Sequence, residues 1–154
     1  MPTEPVEESP VFVKHPTAGD PTRRQTEADI LRVLRHPGVV EVVSVEERPD
    51  GTELRLAQVP DAVDLLHHKV LTPREMAEIF GQICQTLSDI HAAGFVHGNL
   101  GAEHILVDTN LRVVLCGFGN TSPIRSESRP DGLDPALDVI AAGRLLDREL
   151  ERLD

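Results

Sequence analysis

The strongest hydrophobic rhythm in the chain lies between Thr72 and Gly94. Met76, Ile79, Phe80, Ile83, Leu87 and Ile90 recur at the three- and four-residue spacing of one helix face. Thr72-Pro73-Arg74-Glu75 ahead of them is a capping box with proline at the first helical position, and Gly94 is the stop. The pattern predicts a long helix with one buried stripe, and that helix delivers the next segment, Phe95 to Asp108, to a fixed place. This segment is polar and glycine-containing at first and turns apolar at Ile105-Leu106-Val107. A second apolar run, Val113-Val114-Leu115, follows across Asp108-Thr109-Asn110, so two short strands are predicted, then a glycine-flanked turn at Gly117-Phe118-Gly119.

Upstream, Val11 to Lys14 reads as a short strand. Asp20 and Pro21 read as N-cap and first position of a helix running to about Arg35, with Glu27, Leu31 and Leu34 on one face. His36-Pro37-Gly38 stops it. Val39 to Val45 and Glu53 to Val59 are predicted strands around the turn Arg48-Pro49-Asp50-Gly51, half of a small antiparallel sheet. Val63 to His68 reads as a short helix. Downstream, Asn120 to Pro135 is a polar loop and Leu137 to Leu153 a final helix. That helix is apolar all round at Val139 to Ala142 and amphipathic after Gly143, which predicts a buried first half.

Length and charge narrow the classes. A chain of 154 residues is one domain with room for a real core. Its 15 Lys and Arg against 26 Asp and Glu leave a net charge of −11, which repels nucleic acid and anionic membrane and favours a cytoplasmic location. Met1 to Pro10, acidic and proline-containing, reads as a flexible start, neither signal peptide nor anchor. Cys84 and Cys116 form neither a disulfide framework nor a zinc spacing. With four Phe and no Tyr or Trp, the core must be aliphatic.

The order of long helix, His97-Gly98-Asn99-Leu100, Ile105-Leu106, hairpin and Gly117-Phe118-Gly119 resembles the protein-kinase family, in which a catalytic loop and an Asp-Phe-Gly motif follow at this spacing. Val11-Phe12-Val13-Lys14, Glu27 and Leu34 to Val40 resemble a strand, the helix after it and the start of the next strand in a kinase N-lobe. Val59-Pro60-Asp61-Ala62 resembles the hinge between lobes, and Asp138 to Gly143 the start of the helix that anchors the C-lobe. The resemblance covers Val11 to Leu146. It implies an α+β, reduced protein-kinase-like fold: a flexible N-terminus over 1–10, an N-lobe remnant over 11–59 with a small antiparallel sheet and one helix, and a mainly helical, truncated C-lobe over 60–154. Leu31, His97, Phe118 and Asp138 match the family's internal spine.

The chemistry the resemblance implies is degenerate. Asn99 stands where the family has the catalytic-loop Asp, Gly101 where it has a Lys, His104 where it has a metal-binding Asn and Gly117 where it has the metal-binding Asp. No Gly-rich phosphate loop precedes Val11. Lys14 and Glu27 match the family's phosphate-positioning ion pair, but without metal ligands the sequence favours a partly exposed structural pair contributing ~0–1 kcal/mol. Phe12 replaces a small residue against the adenine, so its ring is expected to fill the base pocket. His97 and His104, with no carboxylate at ligand spacing, do not make a metal site. The expectation is therefore a non-enzymatic pseudokinase with no cofactor or metal, binding another protein or a second copy of itself as a regulator or scaffold. The expected surface is an exposed strip of Leu146, Leu150 and Leu153. The alternative is an unconventional nucleotide-binding sensor or a small phosphotransferase that reuses Asp108, Glu103 or His104, since His97-Gly98-Asn99-Leu100 also resembles the loop of small-molecule phosphotransferases.

Overall fold

The computed structural model describes residues 10–153; the expected flexible start, apart from Pro10, lies outside the described residues. The long helix, α2 (Pro73–Ala92), forms as its pattern dictates: Thr72 accepts the Glu75 N–H at 3.1 Å while the Glu75 carboxylate accepts the Thr72 N–H at 3.0 Å. Every residue of the predicted stripe is buried, and Gly94 closes the helix at a φ of 93°. At ~1.5–3 kcal/mol for each large apolar side chain taken from water, this face is a substantial contribution to the core.

The N-terminal half is a three-stranded antiparallel sheet in the order β1-β3-β2, with β1 at Val11–Lys14, β2 at Val42–Arg48 and β3 at Gly51–Ala57. Helix α1 (Arg23–Val33) packs on it through Glu27, Ala28 and Leu31. The helix begins at Arg23, after the expected Pro21, because the Pro21 carbonyl accepts the Thr52 N–H at 3.1 Å and is held to the sheet. Strand β2 also begins later than expected. The backbone of Gly38 to Val40 is engaged elsewhere: Leu115 N–H donates to Gly38 O at 2.7 Å and Val40 N–H to Leu115 O at 3.0 Å.

That engagement joins the two halves. Gly38 lies so close to α2 that a Cβ there would sit 2.3 Å from the Thr86 hydroxyl. Beside it, His36 Nε2 is 2.7 Å from Asp89 Oδ2, and the Arg112 guanidinium donates to Pro37 O at 3.1 Å.

The C-terminal half holds two small sheets. One is β4 (Val63–Asp64), β6 (Ile105–Val107) and β7 (Val113–Leu115) in the order β4-β6-β7; the other pairs β5 (Phe95–Val96) with β8 (Ser122–Pro123). The expected helix over Val63 to His68 is instead β4 and a turn. Val63 pairs with Val107, Leu65 N–H donates to Ile105 O, and the Asp64 carboxylate accepts the His67 N–H. The polar loop after Gly119 folds back to contribute β8.

Helix α3 (Ala136–Glu151) corrects the expectation most clearly. Its first half is not buried: Val139 is 63 % and Ile140 51 % exposed, with Leu137 beside them. The inward ridge is Asp138, Ala142, Leu145, Leu146 and Glu149, one face at helical spacing. Leu146 therefore packs against the core rather than joining an exposed strip, while Leu150 and Leu153 stay exposed. Buried Glu149 is held by Arg152 at 3.1 Å, and Arg152 also donates to His68 O at 2.8 Å.

Thr72→Ala is expected to lower the unfolding free energy by ~1 kcal/mol, read as a shift in urea midpoint without a change in slope. The Thr72 N–H bonded to Glu75 is the main reason its carboxyl is held below the usual carboxylate range, partial burial opposing. A depressed carboxylate stabilises above its unfolded value and loses that contribution as pH falls through its folded one. Glu75→Gln, which removes the titrating carboxyl, should therefore show a shallower loss of stability on acidification, whereas Thr72→Ala, which keeps the N–H at position 72, should retain most of it.

Candidate functional site

Three elements meet at the loop following β5. From the third position of α3, Asp138 accepts the His97 N–H at 2.8 Å and the Gly98 N–H at 3.0 Å. From the last turn of α2, His91 Nε2 lies 2.8 Å from the same carboxylate. His97 is fully buried. Its Nδ1 accepts the Asn99 N–H at 3.2 Å, which places the ring proton on Nε2, donated to Cys116 O at 2.8 Å. Burial pushes His97 below its ordinary value, against the pull of the Cys116 carbonyl and Asp138, so the ring is a neutral brace. Phe118 packs edge-on against it at 4.7 Å between centroids, and the Thr121 hydroxyl donates to His97 O at 3.0 Å. Burial pushes the Cys116 thiol up to about 11, too high for a nucleophile at neutral pH.

On the N-terminal side, Lys14 Nζ donates to Glu27 Oε1 at 2.5 Å, and Arg24 donates to Glu27 Oε2 at 3.0 Å. Glu27 is buried at 2 % exposure, so this is not the partly exposed pair expected from the sequence. Two cations compensate one buried carboxylate, and removing either leaves part of that charge unpaired. Arg24 was missed because no pattern separates an i, i+3 partner from an exposed helix charge. Phe12 shares its strand face with Lys14 by alternation but is 57 % exposed, so its ring is not packed into a base pocket as expected.

Between these two sides lies the pair His104 and Gly117. Gly117 adopts a left-handed φ of 77°, and a Cβ built there would lie 2.4 Å from His104 Cγ. The imidazole thus fills the volume a side chain at position 117 would enter, and its Nδ1 is 2.9 Å from Asn99 O. A hard divalent cation wants carboxylate or carbonyl oxygens, and this volume holds a ring. Glu103 is 3.9 Å from His104 but mostly exposed, and Asp108 is spent on its own turn, accepting the Asn110 and Arg112 N–H groups. The residues present do not fit a Mg2+-nucleotide site.

A family profile described as protein kinase domain matches residues 11–139. The chain belongs to the protein kinase family. It is 29 % identical over 109 residues to serine/threonine-protein kinase 1 of African swine fever virus, and 32 % identical over 107 residues to mitogen-activated protein kinase 8 of Arabidopsis thaliana. These matches cover 68 % and 65 % of this chain but only 36 % and 18 % of those proteins, so it spans a minor part of the relatives it matches. In three dimensions it is similar to the Cydia pomonella granulovirus kinase PK-1, with a TM-score of 0.74 at 20 % identity, covering 91 % of this chain and 58 % of that one. This likeness carries the fold, a reduced α+β kinase-like architecture.

In kinase terms, the internal bracing is in place: Asp138, His97, Phe118 and Leu31 are all buried. Asn99, Gly101 and Gly117 all meet His104, whose Nδ1 is 2.9 Å from Asn99 O, whose N–H donates to Gly101 O at 3.0 Å and whose ring abuts Gly117, while Lys14 and Glu27 are joined to each other on the N-terminal side. Leu146, Leu150 and Leu153 are far from these residues in sequence and do not form one strip.

The close contact at Gly117 generates a coupled prediction. Gly117→Asp alone should destabilise by ~1–3 kcal/mol, because the new side chain meets the ring. His104→Asn made together with it should recover much of that loss. A double-mutant cycle in urea should therefore return a coupling of ~0.5–3 kcal/mol, and additive single effects would show that the two positions do not compete for space.

Proposed function

We propose that this kinase-family chain is a pseudokinase, without phosphotransfer activity, that acts by binding another protein as a regulator or scaffold. The observation carrying this is the His104 ring packed into the space opposite Gly117. Phosphoryl transfer depends almost wholly on positioning and on charge that neutralises the transferring group. Asn99 offers no carboxylate base, Gly101 no cation, and the pair His104 and Gly117 no oxygen for Mg2+. Support for the binding half comes from the apolar residues that α3 leaves in solvent, among them Val139, Ile140, Leu150 and Leu153.

One observation favours a second reading, nucleotide binding without metal. The Lys14–Glu27 pair is formed and the Phe12 ring two positions before Lys14 is exposed. The reading then is a sensor that holds a nucleotide through Lys14 alone.

Thermal shift and radiolabelled phosphotransfer separate these readings. The pseudokinase reading expects no transfer, and no rise in unfolding temperature, with ATP in Mg2+, Mn2+ or EDTA; a ligand at a hundredfold excess over its Kd stabilises by ~2.7 kcal/mol, so binding is easily seen. A shift with ATP in EDTA that Lys14→Ala abolishes establishes the sensor. Phosphate transfer from Mg2+-ATP, lost in Lys14→Ala, overturns both.

A further inference from the structure

A groove of about 660 Å³ runs behind the hinge, between the last turn of α1, the start of β2 and residues 57–60. It lies away from the cleft holding His104 and shares none of its residues. Val40, Val42, Val59 and Val114 give it an apolar floor. Arg32, Arg35, His36 and Arg112 stand around it, with Glu41 the acidic residue of the lining. On a chain of net charge −11, this concentration of cations runs against the background.

The three arginines are only weakly committed, whereas His36 is held by Asp89 at 2.7 Å. Arg112 donates to a backbone carbonyl, Pro37 O, and Arg32 reaches Asp29 only at 4.0 Å with both side chains half exposed. Arg35 is exposed and, among the described residues, has no carboxylate within ion-pair distance. The groove is also bounded by a sheet edge. β2 is the outer strand in the order β1-β3-β2, and its far half carries Glu46, Glu47 and Arg48, charges of the kind that discourage strand addition. The half at the groove, Val42-Val43-Ser44, carries none, and Val43 is 52 % exposed.

We propose that this groove receives an extended, acidic segment of a partner protein, adding along the β2 edge at Val42–Ser44. Its carboxylates lie against Arg35 and Arg112 and its alternate aliphatic side chains in the valine floor. Main-chain pairing supplies affinity, and the floor and cations supply selectivity. This takes up the protein-binding half of the function proposed above; an active nucleotide cleft would leave the groove unchanged, so the two ideas fail in separate experiments.

The test is selection of a phage-displayed library of random peptides on the full chain, with counter-selection on Arg35→Glu. Enriched sequences should combine Asp or Glu with alternating Val, Ile or Leu. By fluorescence anisotropy, a synthetic copy should bind about tenfold more weakly to Arg35→Glu, and more weakly in raised salt. Val43→Lys, placed on the strand edge, should weaken it independently, and both variants should keep the parent unfolding temperature. Three results overturn the proposal: no enrichment, enrichment of neutral or basic sequences, or acidic peptides whose binding Arg35→Glu leaves unchanged. Light scattering showing a dimer of the parent chain that Arg35→Glu dissociates also overturns it, because the occupant is then a second copy.

Discussion

The carboxylate of Asp138 is where the last helix, the long helix and the polar loop are held to one another. It is buried and takes the N–H groups of His97 and Gly98 and the ring of His91. Neither backbone group has another acceptor within the loop, and a buried donor left unpaired costs ~1–3 kcal/mol, so the loop keeps its course only while α3 is docked. His97 transmits that constraint to Cys116 O, which immediately precedes Gly117. The backbone of the loop is thus fixed from below by a buried carboxylate.

On that fixed backbone, side chains change without disturbing the frame. His104 and Gly117 illustrate this: one position gains a ring as its neighbour has none to offer, and the volume stays filled. A close-packed interior tolerates such exchange far better than loss on one side alone. The opposite wall is kept by a different balance, in which Lys14 and Arg24 share the buried Glu27. This clamp serves α1 and the sheet whether or not anything binds between the walls.

The parts of the fold that sequence made legible are those where a local pattern and the tertiary structure agree. The α2 stripe and capping box are such a case, as are β1 and the hairpin of β2 and β3. What was illegible depended on partners distant in the chain. Val63 to His68 has a helix-compatible composition, yet β6 claims its backbone. Gly38 to Val40 looks like the start of β2 but is bonded to β7. The apolar run Val139 to Ala142 promises burial, but only residues on the Asp138 ridge meet α2 and the core. At the site, the identities of Asn99, Gly101, His104 and Gly117 were plain from motif order. Their steric interdependence was not, since spacing does not reveal that a ring reaches across to a glycine thirteen positions on. No helix among the described residues is long and apolar enough to cross a membrane.

The central claim is that an imidazole takes the volume in which a kinase-family cleft would bind its cation. Proton NMR of the imidazole resonances during titration with Mn2+-ATP tests it directly, because a bound paramagnetic ion broadens nearby signals steeply with distance. With His104 packed against Gly117, its resonance should broaden no more than that of the exposed His67. Saturable broadening confined to His104 and His97, reversed by excess Mg2+-ATP, would place the ion in the cleft and contradict the account.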